Sequence, residues 1–192
     1  MESNANDDCL SVSANRDLKS DSTHPFPYDW KTLQSLADEF IREHLLFEMK
    51  RIGGDAAAMW VPDHRDGKDG LMIAVNVGSK GTSIEGVVFQ PFGQGLLCAA
   101  YSENRIICHQ GIFQHRQQSA QVDKQLHQVT AHQIACPLDL FDQRAGAATV
   151  IQSSGGEFRT KWGFDQNDID SFVRAIKVCQ RFLEYRCREG SV

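Results

Sequence analysis

The feature that most constrains the fold is a run of short segments in the second half of the chain. A glycine-broken turn at 89–96 (FQPFGQGL) leads into an apolar stretch with helical spacing. A polar excursion over 110–132 then precedes two apolar segments, 135–140 (ACPLDL) and 146–151 (GAATVI), which are typical of a tight hairpin. Long excursions inside a compact domain are usually functional, because they cost conformational entropy without adding core. The order favours a small-molecule sensor over an enzyme.

Length and charge limit the class of protein. The chain has 192 residues and a mass of 21.5 kDa, which suits one domain with a single core. Its formal net charge is -5 and its pI is about 5.8, so it lacks the overall positive field that attracts nucleic acid or an anionic membrane surface. We therefore expect neither nucleic acid nor membrane as a partner.

The first 22 residues are polar and lack the basic start and apolar run of an export signal. We interpret 1–28 as a disordered polar tail, 29–188 as a single domain and 189–192 as a second short tail. No apolar run approaches the roughly 20 residues that cross a bilayer. The six cysteines show no repeated CxxC spacing, which favours free thiols. These features predict a cytoplasmic protein.

The periodicity of apolar residues predicts helices at both ends of the domain and strands between them. One long amphipathic helix is capped by Asp29 and ends at Gly53–Gly54, and a last helix starts at Asp165 with Asp168 in its first turn. Short apolar runs between the helices predict strands, of which 56–61 and 71–77 form a hairpin. We expect an α+β fold, with a central antiparallel sheet of about five to six strands flanked by helices and the N- and C-terminal helices packed together.

Over roughly residues 32–186 the chain resembles the GAF family. The resemblance rests on the Gly93–Leu96 turn, the Cys136–Leu138 strand, Gly146 before the next strand and 164–168 (FDQND) before the last helix. It implies a GAF/PAS-like fold with a pocket between the central sheet and the crossing segment. Pockets of this family bind cyclic nucleotides, haem, bilins, metal ions or small metabolites.

Carried onto this chain, the resemblance implies a ligand pocket of mainly apolar side chains. The residues at the matching positions are Phe89, Phe92, Leu97, Cys98, His109, Phe113, His115 and Cys136. An apolar cleft with a few polar groups is what ligand recognition requires. The alternative is that these side chains fill the core. The sequence indicates no particular cofactor or ligand.

Soft metal ligands occur in the same region, at Cys108, His109, His115, His132 and Cys136. They lack the close paired spacing of known zinc or iron motifs, so we predict no metal site. The Cys108–His109 pair continues a strand-like run, unlike the bilin-binding pair that lies on a pocket helix in photoreceptor GAF domains. A cyclic-nucleotide signature is not recognisable either.

The catalytic branch of the family, the free methionine sulfoxide reductases, uses pocket cysteines that attack the sulfoxide and then form a disulfide. Cys98 stands at about the position of one such cysteine, but 111–133 contains no cysteine. The nucleophile of that loop is missing, so we expect the chain not to be an enzyme.

The leading hypothesis is a cytoplasmic sensory or regulatory domain that binds a small molecule and signals through its terminal helices. Apolar residues on helices 30–52 and 166–188 exceed what one buried stripe needs, which predicts a homodimer through these helices. A regulatory protein is a further candidate partner. The alternative is a GAF-like adaptor whose pocket is filled, and a thiol-based enzyme is less favoured.

Overall fold

The computed structural model describes residues 11–12, 29–111, 120–155 and 161–189. Within these ranges the chain forms seven β-strands, five α-helices and a 3-10 helix at Gly81–Ile84. In chain order they are β1 (Ser11–Val12), α1 (Trp30–Leu36), α2 (Glu39–Arg51), β2 (Ala56–Arg65), β3 (Lys68–Gly78), β4 (Phe89–Pro91), α3 (Gly95–Glu103), β5 (Ile106–Gln110), α4 (Ala120–Leu126), β6 (Thr130–Leu140), β7 (Gln143–Ser153) and α5 (Gln166–Glu189).

The strands form one sheet in the order β1-β5-β6-β7-β2-β3-β4, and every neighbouring pair is antiparallel. The fold class predicted from the sequence is therefore confirmed. The two-residue strand β1 adds to the edge of the sheet, where Ser11 pairs with Ile107. It lies within the segment 1–28 that the sequence predicts to be a tail, and its neighbours in the chain lie outside the described ranges.

Both long hairpins turn through two residues of positive φ. In β2–β3 these are Asp66 (φ 51°) and Gly67 (φ 72°), and in β6–β7 they are Phe141 (φ 53°) and Asp142 (φ 60°). Such turns match the right-handed twist of paired strands. The hairpins predicted from the sequence are present, with strands longer and turns tighter than the apolar runs alone indicate.

The single N-terminal helix predicted from the sequence is wrong, because the chain forms two helices that break at Ala37–Asp38. Asp29 caps α1 by accepting from the Thr32 amide at 2.8 Å, as expected. Asp38 caps α2 in the same way, with the Ile41 amide at 3.2 Å. An aspartate with extended backbone that accepts from the third following amide starts a new helix, so the periodic apolar pattern runs through a cap that it does not reveal.

Helices α1, α2 and α5 cover one face of the sheet and bury the larger core. Its largest fully buried side chains include Leu33, Ile41, Leu45, Met59, Ile134, Leu138 and Phe172. The N-terminal and C-terminal helices pack together, with the rings of Phe40 and Phe182 4.2 Å apart and Arg186 paired with Asp38. None of the described helices is long and apolar enough to cross a membrane.

The start of α5 is fixed by reciprocal capping. The Asp165 carboxylate accepts from the Asp168 amide at 3.0 Å, and the Asp168 carboxylate accepts from the Asp165 amide at 2.8 Å. Acidic groups also complement the positive end of the helix dipole. The expected placement of Asp168 in the first turn is confirmed.

On the opposite face, α3 and α4 cover a second and smaller core formed around Trp60, Leu71, Ile73, Leu97 and Leu126. The sheet thus has a helix-bundle face and a second face on which a cavity remains.

Candidate functional site

A cavity lies between this second face of the sheet and the helices α3 and α4. Its volume is about 80 Å³. Its wall is mostly apolar, with Ala58, Trp60, Ile73, Leu97, Val122 and Leu126 among the lining residues. The polar lining residues include Asn76, Gln90, Asp123, Thr130, Gln133 and Thr149. A small apolar chamber with a few polar groups is the usual form of a metabolite site.

Strand register places three lining residues in one row across the floor of the cavity. Ala58 on β2 pairs with Asn76 on β3 and with Thr149 on β7. Paired residues of antiparallel strands project to the same face, so Asn76 and Thr149 lie on either side of Ala58. Their Cα atoms are two strand spacings apart, roughly 10 Å. Because the middle side chain is only a methyl group, the row leaves space between its two polar ends.

Trp60 forms a wall beside this row. Its indole Nε1–H donates to the Thr149 hydroxyl at 3.0 Å, and both residues are buried. The Thr149 oxygen is therefore used as an acceptor. Among the described residues, no acceptor takes the Thr149 hydroxyl proton.

The orientation of the Asn76 side chain is fixed by two backbone carbonyls. Its Nδ2 donates to Ser79 O at 3.0 Å and to Gly81 O at 2.7 Å. These bonds hold the 79–81 segment over one end of the cavity and assign the NH2 group, because a flipped amide would place oxygen against oxygen. The carbonyl oxygen Oδ1 then remains as an acceptor.

Gln90 repeats this arrangement near the start of α3. Its Nε2 donates to Gln94 O at 3.2 Å and lies 3.4 Å from Pro91 O. Gln94 is the residue before α3, and its side chain makes no capping bond there. The first residues of α3, Gly95 to Leu97, line the cavity.

Helix α4 closes the side of the cavity next to the edge strand β4. Gln125 bonds both backbone groups of Phe89, since its Oε1 accepts from the amide at 3.4 Å and its Nε2 donates to the carbonyl at 3.3 Å. Asp123 accepts from the Thr130 hydroxyl at 2.7 Å and from the Thr130 amide at 3.1 Å. Side-chain bonds thus connect α4 to two strands of the sheet.

Behind the cavity, the buried carboxylate of Glu85 joins the 79–88 loop to both N-terminal helices. Oε1 accepts from Arg42 Nη1 at 2.5 Å and from the Asn76 amide at 2.7 Å. Oε2 accepts from Gln34 Nε2 at 2.7 Å and from Arg42 Nη2 at 3.1 Å. Burial alone would raise the pKa of Glu85, but the bonds from Arg42, Gln34 and Asn76 outweigh it and hold the pKa below its usual value.

Of the pocket residues implied by the resemblance, Leu97 lines the cavity. Cys98 is buried beside it, with Sγ 3.5 Å from Pro91 O, and burial raises the pKa of its thiol to about 12. Phe89 is buried in the edge strand outside the cavity lining, and Phe92 lies exposed, stacked on Tyr101 with ring centroids 5.3 Å apart. Neither phenylalanine therefore lines the cavity.

The remaining predicted residues are dispersed. His109 is half-buried at the outer end of the sheet, paired with the lining residue Gln133. Cys136 faces the other side of the sheet, in the core under α2 and α5, because strand alternation places Gln133 and not Cys136 toward the cavity. Phe113 and His115 lie outside the described residues. In the described part of the chain, no three His, Cys, Asp or Glu side chains gather into a metal-binding group.

Sequence reasoning missed Asn76 and Thr149 on the floor of the cavity and Trp60 in its wall. A signal for it exists in two places. Asn76 is a polar residue inside the apolar run 71–77, and three consecutive alanines at 56–58 leave space on a strand that otherwise reads as core. An isolated polar residue in a buried strand must find partners, and the side chain of Asn76 finds them in the 79–81 segment at one end of the cavity.

The chain has a GAF-like fold. The GAF domain of a phosphoenolpyruvate-protein phosphotransferase from Coxiella burnetii matches with a TM-score of 0.60 at 14% identity, covering 84% of this chain and 96% of that one. The blue-light-absorbing form of the PixJ GAF domain from Thermosynechococcus elongatus matches with a TM-score of 0.59 at 16% identity, covering 85% and 93%.

A type II free methionine-R-sulfoxide reductase from Thermoplasma acidophilum is similar to the same degree. Its TM-score is 0.58 at 16% identity, covering 80% of this chain and 96% of that one. No family model matches the chain, and no curated protein matches it. At these identities the likeness establishes the fold alone.

Proposed function

We propose that the chain is a regulatory GAF-like domain that binds a small molecule in the cavity and transmits binding to its terminal helices. The observation that carries the proposal is the cavity itself, an apolar chamber with oriented polar groups on its floor. In a filled, purely structural core, those positions would be occupied by packed side chains. Of the three bulky residues that a filled pocket would use, Phe89 and Phe92 are outside its lining, and Phe113 lies outside the described residues.

A physical link between cavity and helices supports the signalling part of the proposal. Asn76 contributes its side chain to the cavity and its backbone amide to Glu85, and Glu85 is bonded to Gln34 of α1 and Arg42 of α2. A ligand that moves Asn76 by a fraction of an ångström changes the geometry of a buried charged network. Such networks transmit small displacements because their geometry is tightly determined.

The outer surface of the α2–α5 pair supports association with a second copy. Phe47 is 63% exposed and Tyr185 is 55% exposed, and the Phe40–Phe182 pair lies on the same two helices. Large apolar side chains at this density are usually covered by a partner. We therefore propose a homodimer through these helices, by which the signal reaches the dimer mate or a regulatory protein. The cytoplasmic location stays a prediction from the sequence.

Light scattering at tens of micromolar tests the dimer. We expect twice the chain mass for the wild type and the chain mass for Phe47→Asp. Phe92→Asp is the matched control, since Phe92 is an exposed aromatic residue on another surface. A monomeric wild type, or dissociation of both variants alike, contradicts the proposed interface.

A binding role is favoured over thiol catalysis by the state of Cys98. A nucleophilic cysteine needs a lowered pKa and access to substrate, whereas this thiol is buried with a raised pKa. We expect no turnover of free methionine-R-sulfoxide in a coupled thioredoxin assay. Turnover that Cys98→Ser abolishes would replace the sensory role with an enzymatic one.

Chemical-shift mapping tests the location of the ligand site. In ¹H–¹⁵N spectra, a compound that binds as proposed shifts the amides of the cavity floor first, around Asn76 and Thr149, and those of Glu85 and Arg42 next. Shifts that cluster instead on the exposed face of α5 would move the site elsewhere.

A further inference from the structure

The polar row on the cavity floor shows what chemistry its ligand carries, and this inference rests on the proposed function. Asn76 and Thr149 stand at the two ends of the row with the methyl group of Ala58 between them. In each side chain the protein uses one kind of hydrogen-bonding group, and another has no partner among the described residues. Asn76 keeps an acceptor and Thr149 keeps a donor.

Asn76 offers an acceptor. Both protons of its NH2 group are directed to Ser79 O and Gly81 O, and no described residue donates to Oδ1. Asn76 is only 3% exposed and lines the cavity, so this oxygen is available to a molecule in the cavity.

Thr149 offers a donor. Its oxygen accepts from Trp60 Nε1 at 3.0 Å. Its proton has no acceptor among the described residues, and the side chain is 4% exposed and lines the cavity. A buried hydroxyl proton without an acceptor is costly, so a ligand acceptor at this end is stabilising.

Charge is kept away from this row. The nearest carboxylate in the network, Glu85, is saturated by four hydrogen bonds on the far side of the Asn76 backbone. Among the described lining residues the charged ones are Lys80, which is exposed, and Asp123, which is bonded to Thr130. A charged group buried between Asn76 and Thr149 would meet only neutral side chains in the row, which is unfavourable.

We propose that the cavity recognises a neutral carboxamide or lactam edge. The ligand N–H donates to Asn76 Oδ1, the ligand carbonyl accepts from the Thr149 hydroxyl, and the planar amide lies over Ala58. Its apolar body packs against Trp60 and Leu97. A carboxylate would bring a negative charge against Oδ1, and an ester would leave Oδ1 without a donor, so the row selects against both.

Matched fragments test this chemistry on the intact chain. Benzamide, benzoate and methyl benzoate share one ring and differ in the polar edge, and butyrolactam and butyrolactone differ only in the N–H group. By NMR titration we expect the amide of each set to bind about three- to tenfold more tightly than its ester, the usual effect of one net hydrogen bond. Benzoate is expected to bind more weakly than benzamide.

Variants of Thr149 assign the preference to the row. Thr149→Val removes the hydroxyl at nearly constant shape and should cut benzamide affinity by about three- to tenfold, whereas Thr149→Ser keeps the hydroxyl and the preference. Because Thr149→Val also removes the acceptor of Trp60 and could unfold, a crystal structure of the wild type with benzamide provides a second measurement. It should place the amide nitrogen within hydrogen-bond distance of Asn76 Oδ1.

The outcomes separate this inference from the proposed function. Equal or tighter binding of benzoate or of the esters in the cavity, or an amide preference unchanged in Thr149→Val, overturns the amide assignment and leaves the cavity as a ligand site. Absence of any fragment from the cavity also overturns the assignment. The proposed function itself is then decided by compounds without an amide edge, such as nitrate and methionine sulfoxide.

Discussion

Replacing Glu85 by glutamine tests whether the buried network truly ties the cavity loop to the helices. The substitution keeps the size of the side chain and exchanges one oxygen for an NH2 group. If Oε1 is exchanged, Arg42 Nη1 and the Asn76 amide lose their acceptor. If Oε2 is exchanged, Arg42 Nη2 and Gln34 lose theirs. Either way, two hydrogen bonds to the ionised carboxylate are lost.

The magnitude follows from these two bonds. A hydrogen bond to a charged group contributes about 1.5–3 kcal/mol, so the two bonds together contribute about 3–6 kcal/mol. The Glu85 side chain is 1% exposed, but that of Arg42 is 23% exposed and regains some hydration. We therefore expect the lower half of this range, a loss of about 3–4.5 kcal/mol. For a chain of this size that lowers Tm by roughly 6–18 °C.

Urea unfolding at pH 7, followed by circular dichroism, measures the effect. Glu43→Gln is the matched control, because Glu43 is exposed on the same helix as Arg42 and should change the free energy of unfolding by less than about 0.5 kcal/mol. A double-mutant cycle with Arg42→Gln should give a coupling of at least about 1 kcal/mol. A loss no larger than that of the control, or strictly additive single effects, would refute the reasoning.

Three further outcomes are expected. The stability advantage of wild type over Glu85→Gln should shrink as the pH falls below about 4.5. In this range the unfolded chain binds a proton at Glu85, whereas in the folded chain the Glu85 carboxylate stays ionised to lower pH. An advantage that stays constant down to pH 3 would contradict the lowered pKa of Glu85. Gly146→Ala should lower the free energy of unfolding in urea by about 3 kcal/mol or more, because a Cβ there would lie 1.9 Å from the backbone oxygen of Trp60. The control Gly155→Ala should be nearly neutral, because a Cβ at that position meets nothing within 4 Å. Equal losses in the two variants would refute the contact. Native Cys98 should react with iodoacetamide at pH 8 at least about a hundredfold more slowly than in urea, because burial raises its pKa to about 12, and equal rates would mean that the thiol is accessible.

The fold could be predicted from the sequence because its signals are local. Asp29 before an apolar-periodic segment, glycine and aspartate at the turns, and acidic residues at the start of α5 each act within a few residues of their own position. The exception, the break at Asp38, is also a local cap, hidden because apolar spacing continues across it.

The site could be predicted only in part because it depends on register. The first six residues of β2 and positions 70–77 of β3 are all buried, so no alternation of polar and apolar residues shows which side chains face the cavity. The resemblance implied that Cys136 lines the pocket, whereas it packs under the helices on the other face of the sheet. The row joins Ala58 and Asn76 of the β2–β3 hairpin to Thr149 of β7, which is distant in sequence, and only the strand pairing brings the three together.

The central claim is that the cavity is a ligand site, and thermal unfolding with a panel of small metabolites tests it most directly. The panel includes methionine-R-sulfoxide, nitrate and neutral amides, and the variant Ala58→Leu fills the floor. A ligand at about 100 times its Kd adds about 2.7 kcal/mol, which raises Tm by roughly 5–11 °C. We expect at least one compound to give this rise in the wild type and in Ala99→Leu, a control outside the lining, but not in Ala58→Leu. No rise with any compound, or a rise that persists in Ala58→Leu, would contradict the claim.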